Sequence, residues 1–357
     1  MPVPPPPSTW SAQRSRSSSP GKPSDAQYRV GHLRSANIFV DHDIPMEISR
    51  CLQIHIFPQV VDDTQLLQRV SDKLWTKAKD LVRKPSGEAE WTEALFTAID
   101  ELRPAGLEIV RNRDWREDLK PPVYNPRTTI PRKRNQSHRP LEEGVTPDSL
   151  HGSPHPLQAT EKTVPLFKLK DPRPDICVGL SDDSLWNALE PKKDRTVARN
   201  FLFDLQNTSS LISDPHVIPL GLRFPFLIIE AKSAATGGNL YQAQNQAAVG
   251  GSTAIRILKS LSAIGSSEQE AEDNGMSAEL PHFEPHMVFS VTTEGPIHEL
   301  WLHFQMPQED DFSMVCIGAW RTTLRDGSMD LVSHISAVLR WGHSQLKDGI
   351  VSILVDL

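Results

Sequence analysis

The sequence predicts a mixed α/β (α+β) fold in which helices flank a central mixed sheet. Residues 226–229 form an apolar, partly β-branched run without a polar break, which is typical of a buried central strand. Similar runs predict further strands at residues 106–110, 176–178, 287–292, 298–304 and 312–320. Apolar residues at helical spacing predict helices over residues 64–83, 87–103, 186–206, 239–261 and 330–345.

The chain divides into three predicted parts. Residues 1–35 are rich in Pro, Ser and Arg, which indicates disorder. Residues 36–85 are expected to form a helical segment packed on the core. Residues 86–350 are expected to form the main domain, with a long disordered insertion at about 120–165, because nine prolines fall between residues 121 and 165.

Composition excludes some classes of protein. No apolar run approaches the ~20 residues that a membrane span needs, and the first residues contain no apolar segment of a secretory signal. The three cysteines are far apart and form no CxxC pair, so we expect an intracellular protein of the cytoplasm or nucleus. A net charge of −7 argues against a nonspecific nucleic-acid coat protein. It remains compatible with a nuclease, which needs only a local positive groove.

One basic region stands out against the acidic balance of the chain. Residues 111–139 contain nine Lys or Arg and three Asp or Glu. A nuclear-import patch, a contact to a DNA backbone and an ordinary solvated loop are all compatible with this composition.

Charged residues follow the most apolar strand. Glu230 and Lys232 lie on one face of the predicted strand and Ala231 on the other, because side chains alternate along a strand. Asp175 directly precedes the strand at 176–178. A Glu-x-Lys triplet is expected about once by chance in a chain of this length. The triplet at 190–192 is such a copy, because its central proline cannot occupy a central strand.

Pro174-Asp175 before a strand, followed by a second strand ending in Glu230-Ala231-Lys232, resembles the PD-(D/E)xK nuclease superfamily. The stretches FPFLIIEAKS and GGNLYQAQNQAAVGG are similar to the large set of fungal PD-(D/E)xK nuclease-like proteins. The resemblance covers roughly residues 86–345. It implies a restriction endonuclease-like α-β-β-β-α-β core with long insertions, a Mg²⁺ or Mn²⁺ cofactor, and hydrolysis of phosphodiester bonds in nucleic acid, expected to be DNA.

The resemblance also implies roles for individual residues. Asp175 and Glu230 would bind the metal through their carboxylates, and the Ala231 carbonyl would supply a third oxygen. Lys232 would orient the attacking water and stabilise developing charge. Glu88, on the apolar stripe of its helix, would either lie beside the metal, in a Glu-x-x-Trp pattern with Trp91, or only complement the helix dipole.

Two glutamines are further candidates. Gln242 and Gln246 lie four residues apart on the helix after the Glu-x-Lys strand and share one face. Related nucleases carry a glutamine in this helix that reaches the site or the backbone, whereas an amide-rich face exposed to solvent is the alternative.

The sequence leaves two alternatives for the function of the whole chain. It is either a metal-dependent endonuclease or exonuclease, or a catalytically silent binding or regulatory module with the nuclease fold.

Overall fold

The computed structural model describes residues 23–57, 63–124, 167–272, 286–306 and 309–357. Seven strands lie in these ranges: β1 Ile38–Val40, β2 Leu107–Arg111, β3 Ile176–Ser181, β4 Leu222–Lys232, β5 His286–Glu294, β6 Ile297–Gln305 and β7 Phe312–Arg321. The helices in these ranges are α1 Asp25–Gln27, α2 Met46–Cys51, α3 Thr64–Val82, α4 Glu88–Leu102, α5 Asp182–Leu189, α6 Arg195–Asn207, α7 Leu240–Glu272, α8 Arg325–Trp341 and α9 Lys347–Asp356. Short π and 3-10 turns extend several of these helices.

The seven strands form one mixed sheet in the order β1-β7-β6-β5-β4-β3-β2. Two neighbouring pairs are parallel, β1 with β7 and β4 with β5, and the other pairs are antiparallel. Helices α7 and α8 both pack against the sheet. The fold is therefore mixed α/β, with a seven-stranded mixed sheet flanked by helices, as the sequence predicted.

Strand β4 is the centre of the core. All of its residues from Leu222 to Lys232 are buried, which explains why its apolar run has no polar break. The Phe226 ring meets the Trp341 ring of α8 edge-on, with centroids 6.1 Å apart, and Trp341 in turn meets Phe289 of β5 at 5.4 Å. These contacts join the middle of the sheet to α8.

Helix α7 connects the parallel strands β4 and β5 and lies very close to the sheet. A Cβ atom at Gly251 would lie 2.3 Å from the Nδ1 of His303 on β6, so a side chain at this position would collide with the imidazole. Gly250 likewise faces the Ile228 side chain, at 3.3 Å from its Cδ1. The two glycines let the helix backbone approach the sheet and fix the distance of α7 from it.

Three predictions of element boundaries were wrong. Part of the segment predicted to be disordered, residues 25–35, is helical, because Tyr28 and Leu33 are buried against the rest of the protein. The segment 36–85 is not wholly helical, since the three-residue strand β1 pairs with β7 at the edge of the sheet. The closing helix begins at Arg325, and α9 continues to Asp356, beyond the predicted domain end at 350.

The prediction of a disordered insertion at 120–165 falls mainly on residues 125–166, which lie outside the described residues. In the ranges that the structure describes, no helix combines the length and the apolar character needed to cross a membrane.

Two histidines are buried in the sheet and held neutral. His298 shares a hydrogen bond of 3.0 Å with the Thr322 hydroxyl, and His303 one of 2.8 Å with the Ser290 hydroxyl. The Nδ1 atoms of both rings are buried without a hydrogen-bond partner among the described residues. Burial lowers the pKa of each imidazole from 6.5 to about 3.

We expect these histidines to make the fold sensitive to mild acid. The unfolded chain binds protons on both imidazoles below pH 6.5, whereas the folded protein does not until about pH 3. Stability is therefore complete above pH 6.5 and is lost as pH falls toward 3, by about 1.4 kcal/mol per pH unit for each histidine. Urea unfolding between pH 7 and 5 measures this slope. It should become shallower in His303→Gln and stay unchanged in the exposed control His42→Gln, and an unchanged slope in His303→Gln would contradict the assignment.

Candidate active site

The antiparallel pairing of β3 and β4 brings the two predicted metal ligands together. Ile176 pairs with Ile229, so Asp175 lies opposite Glu230 at the same end of the two strands. The Asp175 amide donates to the Ile229 carbonyl at 3.1 Å, which extends the ladder to this residue. Because directly opposite residues in an antiparallel pair project to the same face, both carboxyl groups belong to one site.

The Asp175 carboxylate is buried and bound by the backbone of the neighbouring strand. Its Oδ2 accepts a hydrogen bond of 2.7 Å from the Ala231 amide. Burial raises the pKa of Asp175, and this outweighs the lowering by the Ala231 amide and by the Lys232 charge. The negative charge of Glu88 raises the pKa further. Ionisation of Asp175 is therefore costly in the protein without a bound cation.

Glu230 is the most strongly perturbed acid of the site. It is 2% exposed, and within the described part of the chain its carboxyl group has no hydrogen-bond or ion-pair partner. Burial raises the pKa of Glu230 well above its ordinary value, and the charge of Asp175 raises it further. The Lys232 charge lowers the pKa without reversing this shift. A buried acid so unfavourably placed is a candidate functional group.

The Lys232 side chain is buried and makes two hydrogen bonds. Its ammonium group donates to the Ala231 carbonyl at 2.7 Å and to Glu88 Oε1 at 3.1 Å. Lys232 thus bonds two of the oxygens that the sequence assigned to a metal site. Its closest carboxylate is that of Glu88 rather than that of Glu230, its neighbour on the strand face.

A hydrogen bond joins the residues that precede α4 to the end of β4, and it positions Glu88 near Lys232. The Ser233 hydroxyl donates to the Ser86 carbonyl at 2.8 Å in a buried contact. Glu90 caps the helix by accepting from the Gly87 amide at 3.0 Å. Glu88 is the first residue of α4 and reaches Lys232, so both interpretations of this residue, a site residue and a first-turn acid, are compatible with the structure.

The two candidate glutamines on α7 are placed differently. Gln246 lines a cavity beside Glu230, and its Oε1 is buried without a hydrogen-bond partner among the described residues. Gln242 does not line this cavity, and its side chain makes no hydrogen bond or ion pair within the described part of the chain. The structure therefore brings Gln246 to the site and leaves Gln242 outside it.

The cavity beside Glu230 is small, about 10 Å³. Besides Glu230 and Gln246, its wall includes seven residues that sequence reasoning missed: Tyr28, Lys170, Asp171, Pro172, Arg173, Asn245 and Val249. Lys170 and Arg173 lie on the extended stretch that leads into Asp175, whereas Tyr28 comes from the segment predicted to be disordered. Asp175 and Lys232 are not among the lining residues, so the cavity gives access to the Glu230 side of the site.

The chemistry of the oxygen donors suits a hard divalent cation. Asp175, Glu230 and Glu88 are carboxylates, the Ala231 carbonyl is a fourth oxygen, and the unpartnered Gln246 Oε1 is another. In this structure, however, Asp175 is bonded by an amide and Glu88 by an ammonium group. No group of three or more His, Cys, Asp or Glu side chains within the described ranges is arranged to hold a metal ion. The types of donor atom fit Mg²⁺ or Mn²⁺. In the arrangement found here, however, the Lys232 ammonium group is hydrogen-bonded to two of these oxygens, the Ala231 carbonyl and Glu88 Oε1.

Comparison with known proteins identifies a family for this chain. A family model described as a domain of unknown function (DUF7924) matches residues 113–354, which is more than half of the chain. No curated protein and no solved structure matches significantly.

We expect Glu230→Gln to stabilise the protein in the absence of divalent cations. Since the folded pKa of Glu230 is raised, its contribution to stability is complete below pH 4.5 and is lost as pH rises toward the folded pKa. A neutral amide avoids this loss, so the advantage of the variant should grow with pH by up to about 1.4 kcal/mol per unit.

Urea unfolding in EDTA at pH 4.5 and pH 8 measures this difference. The matched control is Glu309→Gln, whose side chain is exposed and whose variant should follow the native protein at both values. If Glu230→Gln were less stable than the native protein at pH 8, the Glu230 carboxylate would be stabilised by its surroundings in the folded protein, and the prediction would be wrong.

Proposed function

We propose that this chain, which belongs to the DUF7924 family, is a metal-dependent nuclease of PD-(D/E)xK type. It would hydrolyse phosphodiester bonds in nucleic acid, with DNA as the expected substrate. The observation that carries the proposal is the convergence of Asp175, Glu230 and Lys232 at one end of β3 and β4. The two carboxyl groups are buried at a cost to the fold, which indicates a use other than stability.

The order of elements supports the finer assignment of the fold. Helix α4, strands β2, β3 and β4, helix α7 and strand β5 follow one another along the chain. This is the α-β-β-β-α-β order of the restriction endonuclease-like core, and β2-β3-β4-β5 are also neighbours in the sheet. Helices α5 and α6 lie between β3 and β4 and would be an insertion in that core.

Asp175, Glu230 and the Ala231 carbonyl would hold Mg²⁺ or Mn²⁺, with Glu88 completing the set of oxygens. A divalent cation bound there would neutralise phosphate charge and lower the pKa of a water molecule. The Asp175 and Glu230 carboxyls must lose their protons to serve as ligands, and their raised pKa values make this loss part of the binding equilibrium.

The chain's own groups would position the reacting atoms. The Lys232 ammonium group, held between the Ala231 carbonyl and Glu88, is placed to donate to the attacking water or to a phosphate oxygen. Gln246 Oε1, a buried acceptor without a partner among the described residues, is placed to accept a hydrogen bond from water beside Glu230.

One observation favours a second function. The cavity beside Glu230 is too small for a nucleotide, and the Lys232 ammonium group lies among three carboxyl groups but forms an ion pair only with that of Glu88 within the described residues. A closed acidic site of this kind would also suit a nuclease fold that has become a binding or regulatory module without catalysis.

We expect purified protein to cleave DNA in millimolar Mg²⁺ or Mn²⁺ and to lose this activity by a factor of at least ~10² in Lys232→Met, because the ammonium group acts in the reaction. Single-stranded, duplex and branched DNA and RNA, each labelled at one end, should be compared in one assay. Lys192→Met is the matched control, since Lys192 is exposed and belongs to the chance Glu-x-Lys triplet. Cleavage that survives Lys232→Met would reject this site, and no cleavage of any substrate would favour the binding module.

We also expect divalent cations to stabilise the fold by about 2.7 kcal/mol at a hundredfold excess over Kd. The apparent affinity should increase with pH, by up to about tenfold per unit for each proton released from the raised acids. Thermal unfolding with Mn²⁺ at pH 6, 7 and 8 measures both effects. Asp175→Asn should abolish the stabilisation, whereas Asp310→Asn, an exposed control, should keep it. Unfolding that is indifferent to Mg²⁺ and Mn²⁺ in the native protein would contradict a metal site.

A further inference from the structure

We propose that residues 24–36, called here the latch segment, act as an autoinhibitory latch whose first part, residues 24–32, covers the site and is displaced when a nucleic-acid strand binds. This inference rests on the proposed function, because it concerns access to the same site. It starts from the small size of the cavity beside Glu230, which a polymer substrate cannot enter in this structure.

Tyr28 of the latch segment closes the cavity. Its side chain is 4% exposed and forms the wall of the 10 Å³ space together with Glu230 and Gln246. The Lys170 amide donates to the Tyr28 hydroxyl at 2.8 Å, and burial raises the pKa of this phenol to about 12. A cavity of this size holds about one water molecule, so a phosphodiester can reach Glu230 by this route only if part of the cavity wall moves away, and Tyr28 is the wall residue that the latch segment supplies.

Arg29 holds the latch segment on α7. Its guanidinium group donates to Asn245 Oδ1 at 2.9 Å and to Gln244 Oε1 at 2.8 Å, and it stacks on the Tyr241 ring at 3.5 Å. Asn245 also donates to the Asp25 carbonyl at 2.9 Å. The side chains that flank Gln246 on α7 are thus bound to the latch segment. A substrate that approaches Gln246 from this side must compete with Arg29.

The contacts that hold the first part of the latch segment on the rest of the protein are of a kind that can break and re-form. Arg29 and the Asp25 carbonyl hold this part by polar contacts, and Val30 remains 67% exposed, so lifting residues 25–32 exposes mainly the Tyr28 ring and the Phe167 ring that packs on Gly31 and His32. Leu33 is fully buried and would stay in the core as the fixed end. Polar contacts exchange readily with water and therefore hold less firmly than apolar burial.

Two exposed cations already border the cavity that the latch segment covers. The Lys170 ammonium group lies 5.2 Å from the centre of the Tyr28 ring and has no ion-pair partner among the described residues. Arg173 lines the same cavity, and its Nε is 3.7 Å from the Asp114 carboxylate, a long and exposed pair. When Tyr28 moves away, both cations face the opened site, where phosphate groups would bind them.

The experiment measures opening and cleavage separately. Opening is measured on full-length protein with Gln246→Cys, from the rate at which iodoacetamide labels the new thiol, with labelling of the native cysteines subtracted. Cleavage is measured on protein that retains Gln246, with single-stranded DNA and Mn²⁺. Arg29→Ala is compared with Arg34→Ala, an arginine of the same segment that is exposed and makes no side-chain contact in the described ranges.

Arg29→Ala should accelerate labelling at position 246 by about tenfold or more, because charge-assisted hydrogen bonds to two side chains are lost. It should raise kcat/KM for cleavage by a similar factor, while Arg34→Ala changes neither. Faster labelling in a protein that never cleaves would support the latch and reject the nuclease. Labelling equal to that of Arg34→Ala would overturn the latch, as would faster labelling with unchanged cleavage in an active enzyme.

Discussion

The antiparallel register of β3 against β4 places Asp175 opposite Glu230, and the rest of the site is built around this pair. A slip of one residue would bring Ala231 into the place of Glu230 and turn the acid to the other face of the sheet. The register is protected because every residue of β4 is buried, so a slip would disrupt the core as well as the site. The end of β4 also holds α4 through the contact between Ser233 and Ser86.

The electrostatics of the site oppose the stability of the fold. Burial and mutual repulsion raise the pKa values of Asp175 and Glu230, and one ammonium group cannot compensate for three carboxyl groups. Lys232 reduces the imbalance by bonding Glu88 and the Ala231 carbonyl. Such a site attracts cations. Function and stability therefore make opposite demands on the same few residues.

The sequence was sufficient for the parts of the molecule that carry a strong local pattern. The apolar run of β4 and the helical spacing in α3 and α4 predicted those elements, and polar residues at strand ends predicted Asp175 and Glu230 as neighbours. The latch segment has no such pattern, because Arg29 is fixed by Asn245, 216 residues away. The choice between Gln242 and Gln246 depends on the exact rotation of α7 against the sheet, which helical spacing alone cannot supply.

The close packing of α7 on β6 restricts how this family can vary. The helix position depends on the missing side chain at Gly251, and the imidazole of His303 fills the space next to it. In a relative with alanine or serine at position 251, the residue at position 303 must be smaller, or the helix must move outward and take Gln246 away from Glu230. The two positions, 52 residues apart in the chain, are therefore expected to change together across relatives that keep the site, and to vary independently in relatives that have lost it.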